Sequence, residues 1–145
     1  ELNNKMSKLG AKLILDALEL IKNKEANFVP QEHEKATYAK KIKKTESKIN
    51  WNLEAKNIVA QVNALYPSPG SWFYLKGSRI KITRAKEIKI NGFPGEIINK
   101  NFTIGCSKNA VQVLELQKEG KNKILAEEFI KGNKLEVGFN ISTDV

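Results

Sequence analysis

Three kinds of residue in this 145-residue chain bear on chemistry: one histidine, one cysteine and a large excess of cations. His33 lies between Glu32 and Glu34 with no cysteine or second histidine nearby. A zinc-type site needs three or four converging donors, so His33 reads as a surface residue. Cys106 has no His or Asp pattern around it that would generate a thiolate nucleophile, and reads as a small core residue. A single cysteine cannot form an internal disulfide, which fits a reducing cytosol. The cations are the remaining signal. Lys and Arg number 25 against 16 Asp and Glu, a net charge of +9. That imbalance favours a polyanionic partner. No apolar run approaches the ~20 residues of a membrane span, and no signal-peptide pattern is present. Nucleic acid is therefore the favoured partner class over a membrane surface.

The cations fall into two groups. Lys40, Lys41, Lys43, Lys44 and Lys48 crowd one polar segment. Between Lys76 and Ile90, six basic residues (Lys76, Arg79, Lys81, Arg84, Lys86 and Lys89) meet one acid, Glu87. There Arg79, Lys81 and Thr83 alternate with Ile80 and Ile82, the period-two pattern of a strand with one apolar and one mostly basic face. A charge run can be a plain solvated face; its functional reading is a strip that contacts phosphates. The candidates are Lys40, Lys41, Lys43 and Lys44 in the linker, Lys81, Arg84, Lys86 and Lys89 on the sheet, and Lys121 in a later turn. No aromatic residue is interleaved with these nine in the sequence, which argues against base stacking. Trp72, Phe73 and Tyr74 are contiguous, so at least one must face outwards, with core packing the expected main role.

The elements that must position these residues can be placed in outline. Met6, Leu9, Leu13, Ala17, Leu20 and Ile21 share one helix face, with Ser7 as a candidate N-cap. Nothing local covers that face, so a missing neighbour is expected, another domain or a second copy; the alternative is that the helix folds back on the later sheet. Residues 30–48 read as an extended basic linker anchored by Tyr38 and Ile42. Asn50 or Asn52 would cap a second helix whose apolar stripe is Ala55, Ile58, Val59, Val62 and Leu65, with Trp51 a core anchor and Pro67 the stop. Trp72–Leu75 is a strand, Gly77-Ser78 a hairpin turn, and the alternation breaks at Arg84-Ala85-Lys86, as at a bulge that curls a sheet. Short strands follow at 96–98, 102–106 and 111–117, then one helical turn at 126–130, and residues 135–141 would close the sheet. The fold class expected is mainly β with N-terminal helices: a small OB-like antiparallel barrel preceded by a helix, an extended linker and a second helix, with a sandwich as alternative.

Several landmarks occur in order: Ala36-Thr37-Tyr38-Ala39, Ile49-Asn50-Trp51, Ala64-Leu65-Tyr66-Pro67-Ser68-Pro69-Gly70, Arg79-Ile80-Lys81-Ile82, Pro94-Gly95, Leu116-Gln117-Lys118-Glu119-Gly120-Lys121 and Phe129-Ile130-Lys131-Gly132. The series resembles the C-terminal half of methionyl-tRNA formyltransferases. The resemblance implies that 1–29 is the terminal helix of a catalytic domain missing here, 30–48 the basic linker, and 49–145 the OB-like C-terminal domain. It implies a whole enzyme that formylates methionyl-initiator-tRNA from the co-substrate 10-formyltetrahydrofolate, in a bacterial or organellar cytoplasm-like compartment. Catalysis would use an Asn, a His and an Asp of the N-terminal domain, so this chain would hold no catalytic residue and no cofactor, and would grip initiator tRNA through its backbone. Where the family usually has an arginine ahead of the Ala-Leu pair, this chain has Asn63. Two competing readings are the equivalent domain of another formyltetrahydrofolate-dependent enzyme and a free-standing OB-type nucleic-acid-binding module.

Overall fold

The computed structural model describes residues 1–133 and 135–141. The chain forms two compact units, Glu1–Lys40 and Lys41–Val145.

The first unit is built on helix α1, Leu2–Lys22. Its N-cap is Glu1, six residues ahead of the expected Ser7. None of its side chains is buried, and Leu9, Leu13, Leu20 and Ile21 stand exposed. A short 3-10 turn follows at His33–Lys35. Tyr38 is 89% exposed. It stands in solvent and anchors nothing, whereas Ile42, half-exposed at the start of the second unit, lines a shallow hollow with Leu53, Ala64 and Leu65.

The second unit holds α2 (Ala55–Leu65), six strands and α3 (Ala126–Asn133). The strands are β1 (Ser71–Leu75), β2 (Ser78–Ile88), β3 (Ile97–Asn99), β4 (Thr103–Gly105), β5 (Ala110–Lys118) and β6 (Lys123–Leu125). All pairings between them are antiparallel, in the order β1-β2-β5-β4-β3, with β6 on the far end of β5. Among the described residues the sheet is open, since β1 and β3 do not pair. The expected closure by residues 135–141 does not occur. That segment instead bonds alongside β3, where Ile97 N–H donates to Phe139 O at 2.9 Å and Gly138 N–H to Ile97 O at 2.8 Å. It covers an edge of the sheet rather than joining its two ends. β6, to which the sequence reading assigned no element, is only three residues long, too short for a periodic signal.

The period-two pattern sets which face is core. Phe73, Leu75, Ile80, Ile82, Val113 and Leu116 point inward and are buried beneath Ile58 and Val62 of α2. Trp51 packs edge-on against Phe73 with ring centroids 5.5 Å apart. Phe102 stacks on Phe129 of α3 at 5.9 Å, tying the late helix into the same core. Neither Asn50 nor Asn52 caps α2. The Asn50 side chain accepts from Asn52 N–H in a local turn, and Ala55 N–H is satisfied by Lys108 O at 3.1 Å. A neighbouring loop carbonyl thus does what a capping side chain would have done.

A cationic sheet face as the candidate functional site

The basic face begins at the β1–β2 hairpin. Its turn is Lys76-Gly77, both at positive φ (48° and 69°), one residue ahead of the expected pair. Two such residues give the turn whose twist matches that of the flanking strands. The register pairs Trp72 with Lys81 and Tyr74 with Arg79, so all four share the outer face. The Arg79 guanidinium lies over the Trp72 ring, 4.4 Å from its centroid. Lys48 Nζ stands 6.0 Å from the Trp72 ring and 5.7 Å from Tyr74. The expectation that cations and aromatics are not interleaved is therefore corrected. Contiguous in sequence, Trp72, Phe73 and Tyr74 alternate in space; Trp72 and Tyr74 meet edge-on with ring centroids 5.2 Å apart, and cross-strand pairing sets Lys81 and Arg79 beside them.

The bend falls one residue early, at Thr83. The register slips between Ile82 and Arg84 and again between Arg84 and Ala85. Thr83 is not on the basic face; it is nearly buried, and its hydroxyl donates to Glu115 Oε1 at 2.7 Å. That bond, then Lys123 at 3.7 Å and nearby Arg84, hold the Glu115 carboxyl below its ordinary pKa despite partial desolvation. The slip has a functional consequence. In an unbroken strand, Arg84 and Lys86 would share the apolar face with Ile80 and Ile82. With it, Ala85 opposes buried Val113 while Lys86 opposes Gln112 outside, and Arg84 and Lys86 stay exposed.

Of the nine residues predicted, Lys81, Arg84 and Lys86 project from β2 on this outer face, and Lys89 is exposed just past the strand's end. Lys44 joins Lys81 in the wall of one surface cavity of about 350 Å³. Lys41 and Lys43 are exposed in the segment leading to the 3-10 turn Lys44–Ser47, where Lys43 N–H donates to Glu46 Oε1 at 3.2 Å. Lys40 closes the first unit. Lys121 lines a different cavity, with Asn122, Phe129 and Asn133. Among the described residues none of the nine forms an ion pair. Sequence reasoning missed Arg79, Lys48 and Lys118. Arg79 was signalled by the same alternation that picked out Lys81; Lys48 reaches the face only through its bridge to Trp72, and Lys118, opposite Ile80 at the end of β5, lines the adjoining cavity.

His33 and Cys106, read from the sequence as a surface residue and a core residue, take those places. His33 is exposed. Cys106 is buried, and burial pushes its thiol up to about 11. Among the described residues no group of acidic, His and Cys side chains could hold a metal ion, and no helix is long and apolar enough to cross a membrane.

Comparison with known proteins places this geometry. Residues 41–134 match the family "Formyl transferase, C-terminal domain". A methionyl-tRNA formyltransferase of Bradyrhizobium diazoefficiens is 34% identical over 142 residues, covering 95% of this chain and 46% of the relative. One of Cereibacter sphaeroides is 37% identical over 138 residues, covering 95% of this chain and 45% of the relative. The chain thus spans about half the length of these curated relatives. The crystal structure of HypX from Aquifex aeolicus in complex with tetrahydrofolic acid superposes on 82% of this chain and 22% of that one, with a TM-score of 0.66 at 19% identity, a likeness of fold. Sequence and fold together show that this chain belongs to the formyl transferase C-terminal domain family.

Proposed function

We propose that this chain is the tRNA-holding C-terminal portion of a methionyl-tRNA formyltransferase, acting in the cytoplasm during translation initiation. The observation that carries this reading is the outer sheet face: Arg79, Lys81, Arg84 and Lys86 project from one bent strand, and among the described residues none of them is ion-paired. Such a face suits the phosphates of a folded RNA, whose A-form grooves offer shape and backbone more than base edges. The relatives, methionyl-tRNA formyltransferases, supply the RNA class. The bend at Thr83 supports reading the open sheet as a variant of an OB-like barrel. In the whole enzyme an N-terminal domain would use 10-formyltetrahydrofolate to formylate the methionyl amino group, and the present chain would supply affinity and no reacting group. By itself it should bind tRNA weakly and transfer no formyl group.

The test is charge reversal read across several tRNAs. Lys81→Glu with Arg84→Glu should weaken binding of initiator and elongator tRNAs alike, because backbone contacts are blind to sequence. A loss confined to initiator tRNA would refute backbone gripping. Retention of a sugar nucleotide in preference to tRNA would instead favour a small-substrate formyltransferase.

A further inference from the structure

The outer face is not uniform. At one end of it, where β2 and β5 meet the loop after α2, lies the cavity of about 350 Å³ shared by Lys44 and Lys81. Arg79 and Lys118 also line it, so four cationic residues share the wall, with Glu119 the one carboxylate. Among the described residues none of the four cations makes an ion pair. Four like charges around one hollow repel one another, and an anion seated among them relieves that repulsion.

The wall is also built, in the sense that its parts are held. Stacking on Trp72 fixes the plane of the Arg79 guanidinium, so that its edge can donate two parallel hydrogen bonds, the arrangement suited to a phosphate. Glu119 N–H donates to Arg79 O at 3.1 Å, tying the β5–β6 turn to the start of β2. That turn is closed by Lys121 N–H to Lys118 O at 3.0 Å and by the Gln117 side chain donating to Lys121 O at 2.8 Å. Next to Pro69 of the wall, Gly70, at φ +80°, leaves the space that the Lys81 stem fills: a Cβ there would lie 2.6 Å from Lys81 Cδ. The Trp72 indole N–H donates to Lys44 O at 3.4 Å, fixing the backbone from which the fourth cation projects. The volume corresponds to about twelve waters at ~30 Å³ each, room for one phosphate group with part of its hydration.

We infer that this cavity is a discrete phosphate-binding pocket, which seats a single phosphate group of the bound RNA strand while the rest of the face makes diffuse contacts. This inference rests on the RNA-holding reading but can fail separately from it.

The experiment uses the full chain and two probes. With inorganic phosphate, the Arg79 Nε–H and Gly120 N–H resonances should shift saturably in the millimolar range, and Arg79→Gln should abolish saturation. Linear shifts in the native chain, or saturation that survives Arg79→Gln, overturn the pocket. With tRNA, Arg79→Gln plus Lys118→Gln should lower affinity about tenfold at 100 mM salt and flatten the slope of log affinity against log salt by roughly one unit, the loss of one phosphate contact. Lys100→Gln plus Lys108→Gln removes equal charge elsewhere and should leave the slope unchanged. Equal effects of the two pairs overturn the assignment to an RNA phosphate while leaving general tRNA binding intact. Absence of tRNA binding by the native chain defeats the RNA-holding reading, and the inorganic phosphate arm then decides the pocket alone. Thermal melts of each variant confirm that the protein under test is folded.

Discussion

Replacing Thr83 with Val removes one hydroxyl from the bend of β2 and keeps the side-chain shape. Thr83 is 9% exposed, and its hydroxyl donates to the Glu115 carboxylate at 2.7 Å. A hydrogen bond to a charged acceptor contributes about 1.5–3 kcal/mol when well shielded. Glu115 is more than a quarter exposed, so solvent screening reduces this to about 1–2 kcal/mol. For a domain of this size that lowers the melting temperature by roughly 5–10 °C at pH 7. The effect should depend on pH. The folded-state pKa of Glu115 is depressed, first by the Thr83 hydroxyl and then by Lys123 and Arg84. Its contribution is therefore present above the ordinary carboxyl value of 4.5 and is lost as pH falls through the depressed folded value. Thermal unfolding of both proteins at pH 7 and pH 3 reads this directly, and NMR titration of the Glu115 carboxyl should move upward in the variant. Equal destabilisation at both pH values, or an unmoved titration, would refute the claim that this bond holds the bend.

Two further predictions concern the frame of the fold. At Gly105 a Cβ would run into the carbonyl oxygen of Phe93 and lie 2.9 Å from the carbonyl carbon of Gly92, so Gly105→Ala should cost about 1–3 kcal/mol in thermal unfolding, whereas a stability unchanged to within half a kcal/mol would contradict the contact. Burial raises the Cys106 thiol to about 11, so alkylation by iodoacetamide at pH 8 should track global unfolding, and rapid labelling of the native chain would contradict its burial.

Much of the strand framework was legible because its signals are local. Ile80 and Ile82 alternate with Arg79 and Lys81 over a full strand, and one face had to be core. The break near Arg84 announced a bulge for the same reason: continuing the period would have turned Arg84 and Lys86 inward. What was not legible depends on pairing. Trp72 and Tyr74 meet Arg79 and Lys81 only through the hairpin register, so the mixed aromatic and cationic face is invisible to a scan along the chain. Likewise the Ala55 N–H at the start of α2 finds Lys108 O, more than fifty residues away, and no capping side chain announces that. Residues 135–141 carry apolar side chains suited to a strand, yet Gly138 turns at φ +90° and the segment lies along β3 instead of bridging the sheet.

The most direct measurement is the affinity of the full chain for initiator tRNA as a function of salt. If about five phosphates are neutralised by the outer face, log affinity should fall against log salt with a slope of roughly −4 to −5, about a 500-fold loss between 50 and 200 mM. An affinity independent of salt, or no binding at 50 mM, would contradict a cationic face that grips RNA by its backbone.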